Sequence, residues 1–416
     1  MLRRHEGGHG VTRVVVVGAG PAGMAAACRA SENGAQVTVL DDNPAVGGQI
    51  WRGGSSAIWF QRLRKSGAEF LGGSQVVMAD ARAKTLLVER AEGFRSLPWD
   101  KLIVATGSRE LFLPFPGWTL PGVMGAGGMQ ALVKSGLVVK RKTVVVAGSG
   151  PLLLAVASYL KSRGARVAAI VEQAPLKRLV GFGTRLLASP GKLVQAAQLQ
   201  LSLAGVPYRT DCWVEAAEGE GQVRRVLVHG AKPIDCDYLA VGYGLTPNTE
   251  LASVLGCEVS CDGVRVDRRQ QTSVADVYCA GESTGIGGVD LSLVEGEIAG
   301  LAAAGRPTEG LTAKRRAARL FAQALADAFA LRPELRKLCR PETLVCRCED
   351  VPYQKLAAHS GWREAKLLTR CGMGPCQGRV CGAAAEFLFG WGHTGVRPPV
   401  LPARVGSLVV EEETQS

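Results

Sequence analysis

Short β-branched runs, each followed by a glycine-rich turn and then an apolar helical stretch, set the pattern of this chain. Val14–Val17 is four valines in a row, which reads as a buried parallel strand. It leads into Gly18-Ala19-Gly20-Pro21-Ala22-Gly23, and the alanine-rich segment Met24–Ala30 suits a helix. A second strand is expected at Gln36–Leu40, ending at Asp41. The order recurs further on. Thr143–Ala147 precedes Gly148-Ser149-Gly150-Pro151-Leu152-Leu153, and Val167–Val171 ends at Glu172. Alternating strands and helices of this kind predict an α/β fold with parallel sheets.

The first turn carries chemistry. A glycine fingerprint between a strand and a helix is the dinucleotide-binding context. Gly18 allows the tight turn, Gly20 lets a pyrophosphate approach the backbone, and Gly23 lets helix and strand pack closely. Pro21 and Ala22 open the helix, whose free N–H groups and positive end face the phosphates. Asp41 lies 18 residues after Gly23, where a carboxylate accepts ribose hydroxyls. It is preferred to Asp42 because it comes first after the strand. In the second turn Gly148 and Gly150 are in place but Leu153 occupies the third position, so helix and strand cannot approach as closely. Glu172 is again an acid in the ribose position, which selects NAD over NADP in an intact site. NAD, another adenine nucleotide or no ligand all remain open there.

Gly47-Gly48-Gln49 follows the first acid, and here the sequence resembles the two-dinucleotide-binding-domain flavoproteins, the group of thioredoxin reductase and ferredoxin reductases. In that family a Gly-Gly covers the flavin side of the pyrophosphate. Leu102–Gly107, with Ala105, Thr106 and Gly107, resembles the segment returning the chain to the first domain. Tyr278–Glu282 resembles the late segment whose acid meets the ribitol of FAD. Gly281 is in place, and Glu282 stands where the family usually has Asp. The resemblance implies FAD as cofactor.

Composition narrows the classes. The chain has 416 residues, 53 glycines and a net charge of +12, and its length calls for two or three domains. No Lys/Arg stripe with interleaved aromatics appears, so nucleic acid is not an expected partner. Lys314–Arg319 reads as the solvated face of a helix, and a basic surface can steer an acidic electron-transfer partner. Thr143–Leu160 is uncharged, but its Gly148–Pro151 interruption fits strand, turn and helix better than a membrane span. Met1–Gly10 is polar and shows no secretory pattern. The expected location is the cytoplasm, with any membrane association made through partners. There is no CxxC pair, which argues against disulfide reductase activity. The five histidines, His5, His9, His229, His359 and His393, lie in no catalytic motif, and His229 reads as a surface strand residue. No catalytic residue is assigned.

Six of the twelve cysteines lie between Cys339 and Cys381. Cys346-Arg347-Cys348 is followed after 22 residues by Cys371-Gly372-Met373-Gly374-Pro375-Cys376-Gln377-Gly378-Arg379-Val380-Cys381. Two close pairs can wrap four thiolates round a zinc ion or a [2Fe–2S] cluster, and a neighbouring flavin favours redox iron. The segment resembles the bacterioferritin-associated-ferredoxin-like [2Fe–2S] module. Cys346 and Cys348 form the first ligand pair. Related flavoprotein dehydrogenases imply Cys376 and Cys381 as the second, with Cys371 the alternative. Cys339 falls outside the pattern.

The expected fold is therefore an α/β two-dinucleotide-binding-domain flavoprotein of FAD/NAD(P)-binding Rossmann type with a small C-terminal helical [2Fe–2S] domain. The expected boundaries are 11–116 and 246–305 for the FAD domain, 117–245 for an inserted NAD-like domain, 306–341 for a helical linker spanning Thr312–Leu331, 342–395 for the cluster domain and 396–416 for a tail. The whole order resembles the alpha subunits of heteromeric FAD-dependent amino- and imino-acid dehydrogenases, the group of D-hydroxyproline dehydrogenase, opine oxidase and hydrogen cyanide synthase. The resemblance implies oxidation of a C–N bond, an FAD-binding beta subunit holding the substrate, a small ferredoxin-like gamma subunit in some members, and an acceptor protein or quinone rather than dioxygen. A self-contained NAD(P)H-dependent ferredoxin-type reductase and a redox sensor are the other readings.

Overall fold

The computed structural model describes residues 11–52, 57–186, 190–392 and 395–408. His5, His9 and His393, and the leader reading of Met1–Gly10, lie outside them. The chain divides into two compact units. One takes in the residues up to Ser108, Pro247–Leu320 and the stretch from Val396; the other takes in Arg109–Thr246 and Phe321–Gly395.

The first unit is built on a five-stranded parallel sheet in the order Val277–Cys279, Lys101–Val104, Arg13–Val17, Gln36–Leu40, Glu69–Leu71. The central strand, Arg13–Val17, is buried apart from its first residue, as its unbroken valines require. An antiparallel sheet of Gln75–Asp80, Thr85–Arg90 and Gly93–Pro98 accompanies it.

Helix Pro21–Glu32 starts three residues earlier than its alanines suggest, because proline is favoured at the first helical turn, where its missing N–H costs nothing. Its small residues allow very close packing. A Cβ on Gly23 would lie 1.8 Å from the carbonyl oxygen of Gly18. On the other side, helix Gly288–Ala303 presents Gly296 and Gly300, where a Cβ would fall 2.1 Å from Ala22 O and 2.3 Å from Ala26 O. Two helices thus meet backbone to backbone over the first turn.

The second unit repeats the plan. Its parallel sheet runs Tyr208–Arg209, Arg166–Glu172, Thr143–Gly148, Tyr238–Gly242, Val123–Gly125, with an antiparallel sheet of Val214–Glu218, Arg225–Val228 and Ile234–Asp235. Thr143–Leu160 resolves into a strand and the helix Leu152–Ser162. Among the described residues no helix is long and apolar enough to cross a membrane. The helix expected to reach Leu331 ends at Ala328, because the carbonyls of Phe329 and Ala330 accept hydrogen bonds from side chains of this unit instead.

The cysteine-rich end of this unit has its own core of Val345, Val351, Leu356, Trp362, Ala365, Ala384 and Ala385. A small hairpin, Leu344–Cys346 with Val351–Pro352, supports the helices Tyr353–Ala357, Trp362–Thr369 and Cys381–Phe389.

The helix contact yields a test. Gly296→Ala pushes a methyl against a carbonyl oxygen that cannot yield without moving the first turn, a cost of about 1–3 kcal/mol. The expected result is a lower melting temperature and easier loss of bound FAD, whereas Gly310→Ala, whose Cβ meets nothing within 4 Å, leaves both unchanged.

Candidate functional site: a dinucleotide cradle and a nest of thiols

The first turn is held in shape by the protein itself. Gly18 has φ +106°, and a Cβ there would lie 2.2 Å from Ala105 O. Gly20 is different: a Cβ there would meet only Gly48 Cα, at 4.0 Å. The polypeptide does not demand glycine at position 20, so the open space suits an external group. Gly20 also caps the helix without a side-chain hydrogen bond, leaving the first N–H groups free for an anion. The Gly47–Gln49 loop closes over this turn. Gly47 N–H donates to Ala19 O at 2.9 Å, and Gly48, at φ +56°, would place a Cβ 2.9 Å from Gly20 Cα. Gln49 is exposed. These residues fit a dinucleotide pyrophosphate.

Asp41 is buried and aimed at the turn. Its carboxylate accepts the Ala19 N–H at 2.6 Å and the Asn43 N–H at 2.8 Å, while Asp42 is exposed. The return and late segments meet at the same end of the sheet. Ala280 N–H donates to Val104 O at 3.0 Å. Thr106 Oγ1 donates to Asn248 O at 2.8 Å, and Asn248 Nδ2 donates back to Thr106 O at 2.9 Å. Asn248 N–H also reaches Gly107 O. Gly281, at φ +77°, lies against Ala22, where a Cβ would approach to 2.7 Å. Glu282 is half-buried and accepts the Ser108 hydroxyl at 2.5 Å.

The second turn departs from the first. Gly148 keeps the tight approach, a Cβ there falling 1.9 Å from Gly242 O. Gly150 has φ +101°, whereas Gly20 has φ −74°. The helix starts one position later, at Leu152, and Leu153 fills the space a third glycine would leave, buried in the core. Glu172 accepts the Gly150 N–H and the Ala174 N–H, both at 2.8 Å, and neither Glu172 nor Gln173 reaches solvent.

What covers them is the chain itself. Ser149 Oγ donates to Phe329 O at 2.9 Å, Gln173 Nε2 donates to Ser149 Oγ at 2.9 Å, and Arg332 N–H donates to Gln173 Oε1 at 3.1 Å. The Arg332 guanidinium pairs with Asp211 at 2.7 Å and lies over the Trp213 ring. Trp213 in turn stacks on His229, which sits in the turn just after its strand rather than within it and pairs with Glu215.

In the cysteine-rich module the sulfurs of Cys346, Cys371 and Cys381 lie within 4.8 Å of one another. Cys376 is hydrogen-bonded to Cys381 and to Cys348. Five thiols therefore form one connected nest. Hydrogen bonds from Cys371 and Cys381 hold the Cys346 thiol far below its usual range, at about 2, and the bond to Cys346 pushes Cys371 up to about 12. Cys346 and Cys376 are held toward thiolate, the form that binds metal, by S–H donors from their neighbours, which are themselves pushed up. Gly374 lets the connecting loop cross Cys348, where a Cβ would lie 2.3 Å from Cys348 Cβ. Cys339 stands apart, bonded to Pro114 O. The nest is compatible with the four sulfur ligands that a [2Fe–2S] cluster takes.

Residues 12–306 match the family described as pyridine nucleotide-disulphide oxidoreductase. The chain belongs to that family. It is thus an oxidoreductase of flavoprotein fold, and the family implies FAD and nucleotide binding. Among proteins of known name it is similar to an opine oxidase subunit of Rhizobium meliloti, 32% identical over 95% of this chain and 97% of the relative. It is similar also to the hydrogen cyanide synthase subunit HcnB of Pseudomonas aeruginosa, 33% identical over 89% and 90%. Among solved structures, L-proline dehydrogenase from P. horikoshii shares the fold, with a TM-score of 0.69 at 18% identity over 96% of this chain and 80% of that one.

Sequence reasoning did not find Ser108, Asn248, Ser149, Gln173 or the Phe329–Arg332 segment. Ser108 directly follows Gly107 and Gln173 directly follows Glu172, so adjacency was a signal for those two. Nothing in the sequence marked Asn248 or Phe329–Arg332.

Burial is the main influence on the Glu172 carboxyl and raises it from 4.5 to about 7. A folded-state value above the unfolded one favours the protonated form, so its stabilisation is complete below about pH 4.5 and is lost as pH rises through about 7. The melting temperature is expected to fall between about pH 5 and pH 8. Glu172→Gln, which cannot ionise, should lower it overall but flatten that fall; equal slopes in both proteins would contradict the assignment.

Proposed function

We propose that this chain is the FAD- and [2Fe–2S]-containing subunit of a heteromeric dehydrogenase that oxidises the C–N bond of an amino acid, imino acid or opine, D-hydroxyproline among the expected substrates. Electrons go to an acceptor protein or quinone. One observation carries the reading: a flavin-type cradle and a five-thiol nest occur in one chain, and relatives named as enzyme subunits match that chain almost end to end.

FAD accepts two electrons as a hydride and can release them singly, while a [2Fe–2S] cluster carries one at a time. The turn Gly18–Gly23 and the helix start would hold the FAD pyrophosphate, covered by Gly47–Gly48. Asp41 would accept ribose hydroxyls, and Glu282, oriented by Ser108, would meet the ribitol. The Thr106–Asn248 exchange keeps the return segment Ala105–Gly107 in register. Cys346, Cys348, Cys376 and Cys381 would hold the cluster, and Cys371 would donate its S–H to Cys346. The substrate site belongs to an FAD-binding beta subunit, and a ferredoxin-like gamma subunit completes some assemblies. The domains proposed are 11–116 with 246–305 for FAD, 117–245 for the second dinucleotide fold, 306–341 for the helical linker and 342–395 for the cluster.

The second turn does not serve nicotinamide turnover. A nucleotide at Glu172 would have to displace the Phe329–Arg332 segment from Ser149 and Gln173. This weighs against a self-contained NAD(P)H-dependent reductase.

Co-expression with the adjacent flavoprotein gene should give a stable complex that reduces an artificial dye with at least one of D-hydroxyproline, proline, glycine or an opine. A correctly assembled complex inert toward all of them would overturn the reading. NADH added to the purified chain under anaerobic conditions should leave the flavin absorbance unbleached, and rapid bleaching would restore the reductase alternative. Replacing Cys376 with Ser should abolish visible cluster absorbance with FAD retained, whereas Cys371→Ser should leave it largely intact; the reverse pattern would exchange the two ligands.

A further inference from the structure

Two helices of the second unit, Leu176–Leu186 and Pro190–Ser202, follow the strand that ends at Glu172. The first has two apolar faces. Leu179, Phe182 and Leu186, at i, i+3 and i+7, form the inner one, and Phe182 packs on Phe321 and Phe329 at 6.0 and 5.7 Å between ring centres. Leu176 and Val180 lie roughly 100° further round the helix and are 61% and 59% exposed. On the second helix Leu193, Val194 and Leu201 share one side and are also exposed, Leu201 by 76%. Five large aliphatic side chains therefore face outward from one pair of helices. Isolated exposed leucines are ordinary on a protein surface, but a grouping of this kind marks a contact surface.

The charge carried by the segment itself is one-sided. From Gln173 to Thr210 the chain carries Lys177, Arg178, Arg185, Lys192 and Arg209 and no Asp or Glu. Lys177 is exposed. Arg185 is paired only loosely, at 3.7 Å, with Asp327, Arg178 reaches Ala330 O, and the Lys192 ammonium lies over the Phe321 ring.

We propose that this helix pair is a docking surface for an anionic phospholipid bilayer, lying in the interface without crossing it. A helix with aliphatic residues on one side and Lys and Arg at its flanks is the pattern of an interfacial anchor. Acid-free basic sequence matches the negative potential of anionic headgroups. The placement suits a chain whose electrons leave to a lipid-soluble acceptor, yet the lipid contact stands on the helices alone and does not depend on that reading.

The full FAD-loaded chain is to be floated with phosphatidylglycerol/phosphatidylcholine vesicles and with phosphatidylcholine vesicles alone. The bound fraction should be higher with the anionic vesicles and should fall at high salt. Lys177→Glu should weaken anionic-vesicle binding by about fivefold or more, and Val180→Asp combined with Val194→Asp should abolish it, with flavin absorbance unchanged. Lys177 is exposed enough that its replacement leaves folding intact, so the charge variant decides the matter even if the double variant unfolds. Absence of vesicle binding, equal binding to both lipids, or no effect of Lys177→Glu would overturn the proposal. So would variants that keep lipid binding but lose the flavoprotein partner, which would make this face a protein interface.

Discussion

The close approach of backbones around helix Pro21–Glu32 is the constraint on which the first unit depends. Gly23 lies against Gly18, Gly18 against Ala105, Gly281 against Ala22, and Gly296 and Gly300 against Ala22 and Ala26. At each contact a single methyl would drive atoms closer than real contacts allow. These contacts fix the height of the helix start above the sheet, and with it the place where N–H groups face an anion. Asp41, Thr106 and Glu282 come from distant parts of the sequence and meet at that start only because the seam is tight. Cofactor binding and the packing of the core are, in this unit, a single geometric requirement.

The second unit shows what happens when that requirement is relaxed. Sheet order is kept and Gly148 lies opposite Glu172, past a register shift at Val144–Val145, but Leu153 occupies the third-glycine position, buried in the core, and Gly150 takes a left-handed conformation. The segment Phe329–Arg332 then covers Glu172 and Gln173. That segment leads directly to the cysteine-rich module, so the second dinucleotide fold works as a platform for the thiol nest. The candidate sites divide accordingly: the dinucleotide cradle belongs to the first unit and the thiol nest to the second.

Local pattern made the strands and turns readable. Four consecutive valines, two glycine turns and the acids after the second strands fall where the sequence reading expects them, because each depends on neighbours within about thirty residues. Contacts of long sequence separation were not readable. Gly296 is a helical glycine with no local signature, and only its approach to Ala22 explains it. The helix from Thr312 stops at Ala328 because Ser149 and Gln173, more than 150 residues away, take over the carbonyls of Phe329 and Ala330. Spacing also could not rank five cysteines for four places. The fold draws Cys371 in beside Cys346 and Cys381, and Cys376 links that group to Cys348.

Analysis of the anaerobically purified chain for iron, acid-labile sulfide, zinc and FAD tests the central claim most directly. A flavin unit coupled to a [2Fe–2S] module predicts about two irons and two sulfides for each FAD, with zinc absent. Zinc in place of iron, or FAD without sulfide, would contradict it.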